Sequence, residues 1–191
     1  LRPAVTNLIT PLCKALIKIG VTADLVTLLG SLGSCLSAIY FFARGEFFIG
    51  TLIVTLFVLS DLLDGTIARL SNAGGTRWGA LMDSTLDRLT DSIIVISLVM
   101  YFRTRDEVVS ILLLIVLVTG FLISYIRARA EALGLDCSVG FAERTERLII
   151  LLVGTGLYGL GLSFALSVAL WTLVGASLLT IAQRMLAVRK R

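Results

Sequence analysis

Histidine is absent from this chain of 191 residues, which removes the side chain most often used as a general base or a metal ligand. Base chemistry must therefore fall to a carboxylate, a lysine or a tyrosine. The three cysteines, Cys13, Cys35 and Cys137, are odd in number and nowhere spaced as CxxC, so neither a structural zinc site nor a disulfide frame is expected. A continuous apolar core is missing from Leu1 to Gly20, which is interrupted by Pro3, Pro11, Lys14 and Lys18 and does not read as a signal peptide. Room for a separate soluble domain is lacking too. Hydrophobic residues make up 57% of the chain, the mean hydropathy is +0.98, and the apolar runs recur along nearly the whole length.

What is present is an all-α integral membrane protein of one domain, residues 1–191. Apolar runs between charged punctuation predict six transmembrane helices at about 24–43, 47–70, 77–102, 107–130, 144–159 and 163–186. Ahead of this 24–186 bundle, Leu8, Leu12, Ala15, Leu16 and Ile19 fall at helical spacing opposite Lys14 and Lys18. That pattern predicts an amphipathic interfacial helix within residues 1–20, and an ordinary connecting helix reads equally well. Threading the spans alternately puts all of the 17 lysines and arginines on one side except Arg44, Arg103 and Arg105. By the positive-inside rule the crowded side is cytoplasmic, with both termini on it. The plasma membrane, and no nucleic acid, is the expected surrounding. Arg189, Lys190 and Arg191 read as topology and attraction to anionic lipid alone.

Against this apolar background stand four aspartates, Asp61 and Asp64 on one predicted span and Asp83 and Asp87 on the next. A carboxylate in hydrocarbon costs at least roughly 2.5–3.5 kcal/mol on insertion scales, so four of them call for a compensating ligand. On a helix, Asp61, Asp64, Gly65 and Ala68 share one face, and Gly79, Asp83 and Asp87 share one face of the following helix, beyond a turn predicted around Asn72 to Gly75. The four acids can converge across one antiparallel pair. Hard oxygen donors without Cys or His select Mg, Mn or Ca, and beside a phosphorylated substrate Mg2+ or Mn2+ is the natural choice. Asp91, one turn beyond Asp87, reads as an ion-pair partner rather than a further ligand.

The spacing of Asp61, Asp64-Gly65, Ala68-Arg69, Gly79, Asp83 and Asp87 resembles the signature of the CDP-alcohol phosphotransferase family, and eight fixed positions make that a specific signal. The resemblance implies a six-helix membrane enzyme, usually a homodimer, that moves a substituted phosphate from a CDP-linked donor to an alcohol and releases CMP. It implies metal binding by Asp61, Asp64 and Asp83, with Asp87 as the base and a contributor to the metal site. Gly65, Ala68, Arg69 and Thr76, with Asp24, Leu25, Val26 and Thr27, resemble the positions that hold the cytidine donor, here CDP-diacylglycerol. From the residues alone, the alternative for Asp24 and Thr27 is that they merely start a helix, and for Arg69 and Arg77 that they anchor the chain at the membrane surface.

Further along, SYIRARAE (Ser124 to Glu131), ERTERLII (Glu143 to Ile150) and Gln183-Arg184 look like the bacterial, actinobacterial branch whose acceptor is inositol phosphate. In that branch the acceptor phosphate lies in a basic pocket, and the matching positions are Ser124, Arg127, Arg147 and Arg184, with Arg129 and Arg144 nearby. Arg127 stands where relatives are expected to carry lysine, which keeps the charge and changes a point donor into a planar fork. A glycerol phosphate acceptor would satisfy the same arginines, so a phosphatidylglycerol phosphate synthase stays open as a second reading. A cation transporter using the buried acids as a pathway is a third. Gly154, Gly156, Gly159 and Gly161 permit close helix contacts and identify no dimer face.

Overall fold

The structure, a computed structural model, describes residues 10–11, 13–70, 76–137, 139–140 and 142–189, with the backbone alone at Asp61 and Leu62. Every regular element among these residues is helical. A short helix α1 covers residues 13–18 and is followed by α2 (Ala23–Phe41), a 3-10 turn (Phe42–Arg44), α3 (Phe47–Val58) and α4 (Asp61–Leu70). Then come α5 (Arg77–Phe102), α6 (Glu107–Ala132), α7 (Arg144–Gly159) and α8 (Ser163–Arg189). The predicted turn at Asn72 to Gly75, and Leu8 and Leu12 of the predicted amphipathic face, lie outside the described residues.

Helix starts follow from local capping. Thr22 accepts from Leu25 N at 3.3 Å to open α2, Thr76 from Gly79 N at 2.9 Å to open α5, and Asp106 from Val109 N at 3.0 Å to open α6. The stretch predicted as one span at 47–70 is interrupted at Leu59 and Ser60. There Ser60 Oγ donates back to Phe57 O at 2.6 Å, while Ser60 O accepts from Leu63 N and Asp64 N to start α4. The interruption falls immediately before the first motif aspartate.

Four helical stretches among the described residues are long and apolar enough to cross a membrane: Ala23–Arg44, Phe47–Leu70, Glu107–Ala132 and Ser163–Arg189. The other two predicted spans coincide with α5 and α7 and differ from these for physical reasons. Helix α5 carries five charged residues between its start and Asp91, namely Arg77, Asp83, Asp87, Arg88 and Asp91, and α7 has only 16 residues, short of the roughly 20 that a hydrocarbon core needs.

Helix α8 packs along α6 and α7, α2 along α3 and α5, α3 against α7, and α5 against α6. The core is filled by Ile94, Leu98, Leu113, Leu166, Leu170 and Leu173, all fully buried. One end is closed by aromatic rings, with Phe47 stacked on Phe102 at 5.5 Å and Tyr101 and Tyr158 set edge-on around them. The outward faces stay apolar, with Leu36, Leu56, Val118 and Trp171 each more than 60% exposed, as a bundle surrounded by lipid requires. The motif acids lie toward the end of α5 opposite the aromatic cluster.

Candidate active site

Two cavities meet at one residue. The first, about 630 Å³, is lined by Ile17 and Gly20 to Asp24, by Thr27, by Asp64, Gly65, Ile67 and Ala68, and by Thr76, Gly79, Ala80 and Asp83. The second, about 830 Å³, is lined by Asp83, Ser84, Thr85 and Arg88 of α5, by Ser124, Tyr125, Arg127 and Glu131 of α6, by Glu143, Arg144 and Arg147, and by Arg184 of α8, among others. Asp83 borders both.

In the first cavity, Asp64 is buried and accepts from Thr27 Oγ1 at 2.6 Å. A hydroxyl carries one proton, and the longer 3.1 Å approach of Thr27 Oγ1 to Ala23 O leaves the carboxylate as the better acceptor. The first turns of α2 and α5 both open into this space, so the positive ends of two helix dipoles face it, a setting that favours phosphate. Gly79 lets α5 come up to Asp24, since a Cβ there would stand 2.9 Å from Asp24 Oδ1. At Gly65 a Cβ would meet nothing within 4 Å; the helix surface is bare and open to a ligand.

Of the positions expected at the donor, Asp24, Thr27, Gly65, Ala68 and Thr76 line this cavity and Leu25 and Val26 do not. Leu25 is 42% exposed: in α2 it is rotated about 100° from both Asp24 and Val26 and points away. Arg69 is exposed, and its Nη2 donates to the buried Thr66 hydroxyl at 3.2 Å. Thr66 was not singled out from sequence; its position one turn before Arg69 was the available signal.

Asp64 and Asp83 face this space from α4 and α5. The side chain of Asp61 lies outside the described residues, and among those described no three acidic, cysteine or histidine groups stand together as a metal cluster. The donor set nevertheless fits a hard divalent cation. All its members are carboxylates, Asp64 is oriented by a buried hydroxyl, and Gly65 leaves room beside them.

The second cavity collects the basic residues. Ser124, Arg127, Arg147 and Arg184 all line it, as do Arg144 and Arg88, whereas Arg129 is exposed and does not. Arg147 and Arg184 are only 8% and 3% exposed, a placement that costs several kcal/mol per ion when uncompensated. Their described hydrogen bonds run to neutral carbonyls: Arg147 Nη1 to Ala142 O at 2.9 Å, Arg184 Nε to Val139 O at 2.9 Å and Arg184 Nη1 to Ile123 O at 2.6 Å. Carbonyls satisfy donors without cancelling charge, so the cavity keeps its attraction for an anion. Arg127 is paired with Glu131 at 2.9 Å on the same helix, and Ser124 Oγ donates to Gly120 O at 3.1 Å.

Asp87 lines neither cavity and is bound from the second one. Arg144 Nη1 reaches Asp87 Oδ1 at 2.9 Å and Arg144 Nε reaches Asp91 Oδ1 at 3.3 Å, while Arg88 Nη1 stands 3.5 Å from Asp91 Oδ2. Arg144, expected only in the neighbourhood of the acceptor, thus joins the arginine cavity to the motif acids. Arg88 was read from sequence as part of the basic face alone, and its place beside Asp87 in the motif helix was the signal that could have raised it.

Known proteins resemble this chain along nearly its whole length. The phosphatidylinositol phosphate synthase of Mycobacterium tuberculosis is 44% identical over 189 residues, covering 96% of this chain and 87% of that protein. A crystal structure of the Mycobacterium tuberculosis enzyme in complex with manganese and citrate superposes with a TM-score of 0.89 at 44% identity, covering 94% of this chain and 88% of that one. Another, with CDP-DAG bound, superposes with a TM-score of 0.88 at 44% identity over 94% of this chain and 92% of that one. A model of the CDP-alcohol phosphatidyltransferase family matches residues 20–183, a stretch that holds the whole aspartate motif and both cavities apart from Ile17 and Arg184; this chain belongs to that family.

Proposed function

We propose that the protein transfers the phosphatidyl group of CDP-diacylglycerol to an inositol phosphate, giving phosphatidylinositol phosphate and CMP. The observation that carries this reading is Asp83, shared between a cavity built from the cytidine motif and a cavity lined by arginines. A transfer reaction needs its two substrates to meet at one atom. Donor pyrophosphate in the first cavity and acceptor phosphate in the second put the reacting phosphorus beside this carboxylate.

The first turns of α2 and α5 orient the donor, with Thr27 holding Asp64 and bare Gly65 admitting the nucleotide. Arg147 and Arg184 hold the acceptor phosphate, with Arg127 and Ser124 at the rim. The acceptor hydroxyl oxygen then forms a bond to the phosphatidyl phosphorus, the phosphorus–oxygen bond to CMP breaks, and the hydroxyl proton passes to Asp87. A divalent cation held by Asp61, Asp64, Asp83 and Asp87 supplies Lewis-acid stabilisation of the charge on the leaving phosphate. A phosphorylated acceptor suits the three arginines, since a neutral alcohol needs none of them.

In the membrane we read all six predicted helices as spans of one domain, α5 and α7 included, because their polar ends gather at the site. The α1 segment lies in the interface, and the site and both termini face the cytoplasm by the distribution of basic residues. The homodimer implied by the family resemblance belongs to the same proposal.

Purified protein given CDP-diacylglycerol, Mg2+ or Mn2+, and inositol phosphate, inositol or glycerol 3-phosphate in turn tests the assignment by CMP release and product mass. Inositol phosphate is the expected acceptor. Preference for glycerol 3-phosphate would keep the chemistry and change the product, and transport of cations without CMP release would overturn both. Asp61→Asn or Asp83→Asn, or a chelator, should abolish transfer in folded protein. Asp87→Asn should lose turnover while keeping donor binding.

A further inference from the structure

Arg144 stands between recognition and chemistry. It lines the arginine cavity at the start of α7, yet its guanidinium is engaged by two acids of α5, Asp87 Oδ1 at 2.9 Å through Nη1 and Asp91 Oδ1 at 3.3 Å through Nε. The pairs are well shielded, with side chains 21%, 15% and 26% exposed for Arg144, Asp87 and Asp91, so these contacts are stronger than surface ion pairs. A phosphate in the cavity and the Asp87 carboxylate compete for the same Nη1 donors.

Resting on the reaction proposed above, we infer that Arg144 is a positioning residue that couples acceptor phosphate to the base. It occupies Asp87 Oδ1 until a phosphorylated acceptor draws the Nη end of its fork into the cavity. Three features support the exchange. A phosphate dianion carries more charge and more acceptor oxygens than one carboxylate. Arg147 and Arg184, bonded to carbonyls, already bias the cavity toward an anion. Asp91, itself held near Arg88 Nη1 at 3.5 Å, anchors Nε, so the side chain pivots rather than leaves. Oδ1, once released, accepts the hydroxyl proton. An acceptor without phosphate, water included, leaves the carboxylate occupied, and the donor is protected. Attack by water would form a bond to the same phosphorus, break the same bond to CMP and pass a proton to the same carboxylate, giving phosphatidic acid and CMP.

The test is turnover of CDP-diacylglycerol by the full-length protein with Mn2+ and with inositol phosphate, inositol or water alone, comparing native protein with Arg144→Ala, Arg144→Lys and Asp91→Asn. Arg144→Ala should raise phosphatidic acid formation and inositol turnover roughly ten- to a hundredfold, the range set by loss of one charge-assisted contact, and should narrow the kcat advantage of inositol phosphate. Asp91→Asn should raise both less, and Arg144→Lys should restore part of the protection. A residue that only binds phosphate would raise the acceptor KM and leave hydrolysis at its native rate; that result, or lower hydrolysis in both Arg144→Ala and Asp91→Asn, overturns the inference. Failure of the underlying reading is separate, since native protein would then give no product with inositol phosphate.

Discussion

Replacing Thr27 by valine removes one hydroxyl from a buried pair and changes little else in volume. Thr27 Oγ1 donates to Asp64 Oδ2 at 2.6 Å, with the two residues 5% and 7% exposed, and the bond joins α2 to α4. A hydrogen bond to a charged group contributes about 1.5–3 kcal/mol, which corresponds to roughly ten- to a hundredfold in an equilibrium constant. Loss of a group that orients a metal-binding side chain falls in the same range. Thr27→Val should therefore weaken Mn2+ by about ten- to a hundredfold, and Thr27→Ser, which keeps the hydroxyl, should stay within about threefold of native protein. Two readings check this: the Mn2+ concentration for half-maximal CMP release, and direct Mn2+ binding by electron paramagnetic resonance in the absence of substrate. Raised metal demand in both assays is expected for valine alone. Native Mn2+ affinity in Thr27→Val would refute the argument that this hydroxyl orients a metal-binding carboxylate.

The segment between α6 and α7 offers a second test. Gly140 has φ +143°, and a Cβ there would come within 2.7 Å of Thr180 Cγ2, so Gly140→Ala should displace the backbone that Arg184 and Thr180 hold and raise the inositol phosphate KM about tenfold or more. The CDP-diacylglycerol KM, measured in the same assay, should change much less. Arg147→Ala should raise the acceptor KM by roughly ten- to a hundredfold with a small effect on the donor, and a native acceptor KM would remove Arg147 from phosphate binding. Burial pushes the Cys13 thiol above its usual range, and a raised thiol pKa leaves less thiolate at neutral pH. Cys13 should therefore resist iodoacetamide at pH 7 to 8 in folded protein and react on unfolding, as mass spectrometry of the alkylated peptide would show.

Much of the fold was legible because helical periodicity and apolar length are local properties. The boundaries of α5 and α7 coincide with those predicted, since Thr76 and the charged residues at Arg77 and Arg144 mark them plainly. The break at Leu59 and Ser60 was missed because a serine in an apolar run carries no strong stop signal; its effect came from the hydroxyl turning back to Phe57 O. Within the site, the one-turn separation of Asp83 and Asp87 on α5 followed from spacing alone, while only the structure shows that Asp83 lines both cavities and Asp87 neither. The exclusion of Leu25, Val26 and Arg129 from the cavities did not, because each sits beside residues that do line them and differs only in rotation about its helix axis.

The sequence by itself determined the class of molecule and the inventory of its chemistry: apolar helices, acids at helical spacing, no imidazole or paired thiols, and more basic than acidic residues. Those conclusions need only composition, period and charge. Tertiary structure alone decided which groups meet. It joined the two cavities at Asp83, aimed the buried guanidinium of Arg184 at the carbonyls of Ile123 and Val139, and set Arg144 against Asp87 and Asp91. These partners lie on different helices or, for Val139, on the segment between α6 and α7, and far apart in the chain. Their approach is set by how the core residues of α5, α6, α7 and α8 interlock, and no spacing within a single helix encodes that.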